Sequence, residues 1–197
     1  MNKNKLDVRK LVYLGLLTAI VCVLTMIPIR IGNVFAITLV LTPIVVGVAT
    51  CGIWAGAWLG FAFGLTVLIS GDAALFLQFN IPATIFVVLL KGTVAGLAAG
   101  GVYKLIERIN RYAAIFAAAI VAPLVNTGIF FLGCEIFFFN DIAAYYGLEA
   151  AEVTLFVITG FIGLNFIVEM AVNLIIAPTV CKILDILDKS EPKRINY

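Results

Sequence analysis

The sequence predicts an all-α integral membrane protein of six transmembrane helices with both termini in the cytoplasm. Three observations predict it. The 197-residue chain is 63% hydrophobic and only 12% charged, against about 25% charged in an ordinary soluble domain. The 41 residues from Ile31 to Gly71 contain no Asp, Glu, Lys or Arg, about 61 Å of helix or two bilayer crossings. The basic residues gather in three places that a six-helix chain brings to one side.

The first helix is expected over about residues 11–29. The preceding "MNKNKLDVRK" puts four basic residues before an apolar run, as a secretory leader does, but no small-residue cleavage site leads into a soluble domain, so it is read as a retained helix. The uncharged block divides into helices over about 35–51 and 53–70, with Gly52 in "TCGIWAG" as the break. The fourth helix starts after "FNIPAT", where Pro82 is tolerated in the first turn, and runs over about 82–106. The fifth covers about 112–133 and the sixth about 156–187. Residues 1–197 thus form a single six-helix membrane domain.

Lys3, Lys5, Arg9 and Lys10 precede the first helix, Lys104, Arg108 and Arg111 surround the turn between the fourth and fifth, and Lys182, Lys189, Lys193 and Arg194 end the chain. Eleven of the thirteen basic residues therefore fall on the cytoplasmic side; Arg30 lies in an outer loop and Lys91 inside the fourth helix. The outer segment "EIFFFNDIAAYYGLEAAE" sets four acidic residues among aromatics and reads as an amphipathic stretch at the interface.

Several functions are excluded. The chain has no histidine, and Cys22, Cys51, Cys134 and Cys181 show no paired spacing, so histidine-dependent catalysis, zinc chemistry and a disulfide framework are not expected. Ser70 and Ser190 are the only serines, neither inside a helix core, which disfavours an intramembrane serine enzyme. A net charge of +2 is too small to indicate nucleic acid. No Gly-x-x-x-x-Gly-Lys-Ser/Thr loop is present, so ATP-driven work requires partners. No metal and no cofactor is expected.

The polar groups at membrane depth carry the functional signal. A lysine at the bilayer centre costs about 2.5–3.5 kcal/mol on insertion scales, so Lys91 faces protein or water. By helical rise it lies about 14 Å below the outer end of its helix, Asn126 about 10 Å, Asn165 about 14 Å and Glu169 about 20 Å below theirs. Thr127 adjoins Asn126, and Asn165, Glu169 and Asn173 follow one stripe in "LNFIVEMAVN". Three helices thus offer amide, hydroxyl, ammonium and carboxylate groups to one layer. Lys91 and Glu169 form either a buried ion pair with the asparagines as interhelical links, or part of a ligand site; spacing leaves both open. In the loop "SGDAALFLQFNIP", Phe76, Gln78, Phe79 and Asn80 are placed to cover a ligand or to anchor at the interface. Gly92, Gly96 and Gly100 make a small-residue stripe read as internal helix packing, and Gly15 with Ala19 makes a weaker pair on the first helix.

These features resemble the substrate-binding S component of energy-coupling factor (ECF) vitamin transporters. The resemblance rests on six helices and on "RKLVYLGLLTAIVCVLTMIPI", "ITLVLTPIVVGVATCGIWAGAWLGFAFGL", "LFLQFN" and "LLKGTVAGLAAGGVYKLI" in that order, and spans nearly the whole chain. It implies a protein that binds a vitamin or precursor from outside, joins a transmembrane T subunit and two ATPases, and topples in the bilayer to deliver its load. It implies a pocket in the outer half formed by helices 4–6 and two loops. It also implies docking on the T subunit through an Ala-x-x-x-Ala motif, whose place is held here by Gly15 and Ala19, with Gly for the first Ala. The sequence style is closest to members that handle pantothenate and related small vitamins, and Lys91 is suited to meet a carboxylate. Glu169 opposes that, which keeps riboflavin in view. The alternatives outside this family are an ion-coupled secondary carrier using Glu169, and a ligand-free assembly subunit.

Overall fold

The computed structural model describes residues 3–27, 29–31, 35–37 and 39–190. Pro28 of the expected first helix, and Lys193 and Arg194 of the basic C-terminal group, lie outside the described residues. In chain order the elements are α1 (Lys3–Met26), β1 (Ile29–Ile31), β2 (Phe35–Ile37), α2 (Leu41–Cys51), α3 (Ile53–Ser70), α4 (Ala74–Phe79), α5 (Ile81–Ile106) and α6 (Arg111–Gly133). A π-helical segment (Cys134–Phe138) leads into α7 (Phe139–Tyr146), and α8 (Ala150–Phe156) leads through a second π-helical segment (Val157–Gly163) into α9 (Leu164–Ser190).

Five described segments are long and apolar enough to cross a membrane: Val8–Met26, Ile53–Ser70, Ile81–Ile106, Arg111–Tyr146 and Ala150–Ile186. The expected second helix over residues 35–51 is corrected. Its first part is strand β2, paired antiparallel with β1 in the register Ile29 to Ile37, and the helix begins only at Leu41. The intervening Gly32-Asn33 is hairpin composition flanked by β-branched and aromatic residues. At 11 residues, α2 is about 16 Å long, half a bilayer core.

The expected interfacial segment between the last two helices is itself helical. α6 runs on through the π-helical turn and α7, Gly147 turns the chain in a left-handed conformation at φ 65°, and α8 leads directly into α9. The 36-residue Arg111–Tyr146 run is about 54 Å long, far more than the roughly 30 Å hydrocarbon core. Burial explains why this segment packs: Phe138, Ile142, Val153 and Val157 close against Ala83 and Val87 of α5 in a core cluster of their own. The Glu152 carboxylate caps α8 by accepting from the Glu149 N–H at 3.1 Å.

The bundle is held at its centre by α3 against α5. A Cβ on Gly60 would strike the Gly92 carbonyl and one on Gly92 the Gly60 carbonyl; Gly56 and Gly96 repeat the reciprocal approach one turn away. The backbones themselves are in contact, which only glycine permits. The stripe of Gly92, Gly96 and Gly100 is therefore internal packing, with Gly100 closing on Ile53. Around this pair a larger core joins α1, α2, α6 and α9 through Val21, Ile44, Leu59, Ile115, Val180 and Leu184.

Candidate functional site

At the end of the bundle away from Lys104, Arg108 and Arg111, a cavity of about 200 Å³ lies between α3, α5, α6 and α9. Its polar lining comprises Asp72, Lys91, Asn126, Thr127, Asn165 and Glu169. Helical periodicity brings them together. Asn165 and Glu169 stand four residues apart on α9, and Asn126 and Thr127 sit one turn before Phe130 on α6. Asp72 arrives from the loop after α3, where Gly71 ends that helix in a left-handed conformation.

The rest of the wall is aromatic. The Lys91 ammonium lies 5.0 Å from the Phe130 ring centre and 5.9 Å from that of Phe63, within range of cation–π attraction. Phe76 of α4 meets Phe130, Phe138 and Phe161 edge to face at 5.3, 5.1 and 5.6 Å. Phe161 belongs to the second π-helical segment, where an extra residue per turn re-aims the side chains entering α9. The short helix α4 is fastened to α5 through Thr84, whose hydroxyl lies 2.7 Å from the carbonyl oxygens of both Phe76 and Asn80.

Two atoms stand out. The side-chain oxygens Oδ1 of Asn126 and Asn165 are buried and accept no hydrogen bond from the described residues. An unsatisfied buried polar atom costs about 1–3 kcal/mol, and these two belong to different helices facing one cavity. Glu169 is buried, and its carboxylate and that of Asp72 both act electrostatically on Lys91. The arrangement is able to hold a small polar molecule by hydrogen bonds at two edges and by ring contacts between them.

Five of the eight binding residues named from the sequence thus share the cavity: Lys91, Asn126, Thr127, Asn165 and Glu169. The other three lie elsewhere. The Asn173 amide bridges helices, donating to the Glu169 carbonyl at 2.8 Å and accepting from the Thr42 hydroxyl of α2 at 3.0 Å. Asn80 caps α5, its side chain accepting from the Ala83 N–H at 3.1 Å, and Gln78 is exposed. Sequence reasoning passed over Asp72, Phe63, Phe130, Phe161 and Phe166 as cavity residues. A signal was there: Phe130 follows Asn126, and Phe161 precedes Asn165, by four residues.

Gly15 and Ala19 are exposed on α1, with nothing within 4 Å of a Cβ at Gly15. Beside them the Thr18 hydroxyl accepts from the Trp58 indole N–H at 3.1 Å and donates to the Leu14 carbonyl at 2.7 Å. A wider hollow of about 440 Å³ runs along α1, α2 and α9, but apart from Thr42, Thr50 and Tyr13 its walls are aliphatic residues such as Leu16, Ile20 and Ile176. It lacks the converging polar groups that orient a polar solute.

Fold and cavity together define a multi-pass membrane protein with a polar, aromatic-walled chamber between its helices. A family model described as "ECF transporter, substrate-specific component" matches residues 9–181, and the chain belongs to that family. It is accordingly a substrate-specific component of a transporter, not an enzyme. No curated protein and no solved structure matches it.

Proposed function

We propose that the chain captures a water-soluble vitamin or vitamin precursor from outside the cell in the chamber between α3, α5, α6 and α9. It then delivers it inward as part of an ECF importer with a T subunit and two ATPases. The observation that carries this reading is the pair of buried amide oxygens, Asn126 Oδ1 and Asn165 Oδ1, that face one cavity without a donor among the described residues. Polar groups at membrane depth are costly unless they serve a partner or a ligand. Lys91, Thr127, Glu169 and Asp72 complete the binding set, and Asn173 supports it by holding the Glu169 turn against α2. Gly15 and Ala19 form the face of α1 that meets the T subunit, and both termini lie in the cytoplasm.

Pantothenate and riboflavin bracket the choice of substrate: one offers a carboxylate to Lys91, the other a ring system to the phenylalanines. The purified chain alone should bind one such vitamin with high affinity, while uptake into proteoliposomes should require the T subunit, both ATPases and ATP. A second reading, an ion-coupled carrier, draws on the buried Glu169 carboxylate. Uptake by the isolated chain under a proton gradient would establish that reading and end the first.

A further inference from the structure

We propose that the basic end of the bundle binds one anionic phospholipid, with an acyl chain laid in the aliphatic hollow between α1, α2 and α9 and the phosphate headgroup received among Lys10, Lys104 and Arg108. The proposal is independent of the solute chamber.

Helical spacing builds the slot. Tyr13, Leu17, Ile20 and Leu24 line it from α1, at intervals of three and four residues that put them on one face of the helix. Val46 and Thr50 of α2, and Ile176 and Ile183 of α9, repeat the pattern from two other sides and leave a hollow of about 440 Å³ between the three stripes. A gap between aliphatic walls forfeits dispersion contacts, and in a bilayer the filler at hand is hydrocarbon. Its length fits. From Tyr13 to Leu24 the slot follows about 16 Å of α1, close to the half of a roughly 30 Å hydrocarbon core that one leaflet fills.

The end of the slot sets it apart from ordinary lipid-facing surface. Lys10 continues the α1 stripe one turn before Tyr13, and the Cys51 thiol lies 3.7 Å from the Lys10 carbonyl oxygen, which holds this turn of α1 at the end of α2. Lys10 lines a second hollow, of about 280 Å³, together with Thr50, Tyr103, Lys104 and Glu107. Thr50 belongs to both hollows, so the aliphatic slot meets a polar one. Lys104 also shares a third hollow with Arg108. Around these two polar hollows Lys10, Lys104 and Arg108 are basic and Glu107 is acidic, and all four are exposed. Basic hollows between membrane helices at the level of the headgroups suit anionic lipid. Tyr13, between the two chemistries, is the amphipathic kind of side chain that settles at this level. This end is the one proposed above to face the cytoplasm, whose leaflet carries anionic lipid.

The rival occupant is protein. Gly15 and Ala19, the pair proposed to meet the T subunit, do not line the slot; their spacing puts them on the other side of α1. That contact leaves the slot open.

The test uses the full-length chain, purified in mild detergent and stripped of lipid. Native mass spectrometry follows its titration with phosphatidylglycerol and with phosphatidylcholine of the same acyl chains, and with inorganic phosphate as competitor. One phosphatidylglycerol per chain should bind at least tenfold more tightly than phosphatidylcholine, and inorganic phosphate should not displace it. Lys10→Gln combined with Lys104→Gln should erase the preference for the anionic headgroup. Ile20→Trp, which fills the slot from a partly exposed position, should weaken both lipids tenfold or more. Lys182→Gln, at the same end but lining none of these hollows, should change affinity less than threefold. Equal affinity for the two lipids, or an equal loss in Lys182→Gln and the double variant, overturns the proposal in favour of nonspecific annular lipid. Displacement by inorganic phosphate overturns it in favour of a free-anion site. Unchanged lipid binding in Ile20→Trp, with co-purification of the T subunit lost, assigns the slot to protein and overturns it too. The double variant alters only exposed side chains, so its result decides the matter even where Ile20→Trp fails to fold.

Discussion

Asn165 and Asn173 lie two turns apart on one helix, and their amides do different work. The Asn173 side chain donates to the Glu169 carbonyl and accepts from Thr42, 131 residues away in the chain, while Asn165 Oδ1 has no donor among the described residues. Interhelical hydrogen bonds in membranes contribute about 0.6–2 kcal/mol. Asn173→Leu or Thr42→Val should therefore lower thermal stability in detergent by about that amount and change affinity for the captured vitamin less than threefold. Asn165→Leu should do the reverse, with melting temperature held and affinity lost tenfold or more. Fluorescence melting and calorimetric titration of the three variants check both. The four-residue stripe was legible in the sequence because it follows helical periodicity. The division of labour along it was not, since Thr42 sits on an element that no local pattern connects to α9. Asn80 marks the other limit: Asn followed two residues later by Pro82 is helix-cap composition, and its side chain caps α5 instead of covering the cavity.

Helix pairing depends on glycines at matching intervals. Gly56, Gly60 and Gly64 of α3 lie against α5 closely enough that a Cβ on any of them would strike the α5 backbone. Filling such a contact forces main chain apart and costs about 1–3 kcal/mol or more. Gly60→Ala and Gly96→Ala should lower the melting temperature and the yield of monodisperse protein; Gly128→Ala, where nothing lies within 4 Å of the new Cβ, should not. The α5 stripe was readable as packing, and the equal spacing in α3 already names its partner. α1 offers the contrast of an open surface. Because Gly15 has free space around it, Gly15→Leu should leave folding and ligand affinity unchanged while reducing co-purification with the T subunit; intact co-purification would remove this face from the docking site. The elements that escaped sequence reading are those whose pattern shifts without a change in composition. A π-helical turn adds one residue inside an apolar run, and the three-residue strands β1 and β2 are too short to establish an alternation.

The molecule as a whole is electrically polar. Lys104, Arg108, Arg111 and Lys182 gather at one end, and Asp72, Glu135, Asp141, Glu149 and Glu152 at the end of the loops and of the α7–α8 hairpin. With the native cysteines replaced by alanine, Glu149→Cys should react in intact cells with a membrane-impermeant maleimide. Arg108→Cys should react only after permeabilisation, and the opposite labelling would invert the orientation. Membrane character and helix order were legible because a bilayer demands long apolar runs. The chamber was half legible: depth along each helix identified its polar groups, but its aromatic wall is a property of packing between helices. The glycine contacts of α3 and α5 also divide that chamber mechanically. Phe63 and Lys91 are mounted on two main chains pressed directly together, so this jaw is fixed. On the substrate-binding reading proposed above, admission and release of a solute fall to the opposite jaw, where Phe76 rides on a six-residue helix and Phe161 on a π-helical segment. A cross-link between those two elements should trap the guest, whereas one between α3 and α5 should leave its exchange rate untouched.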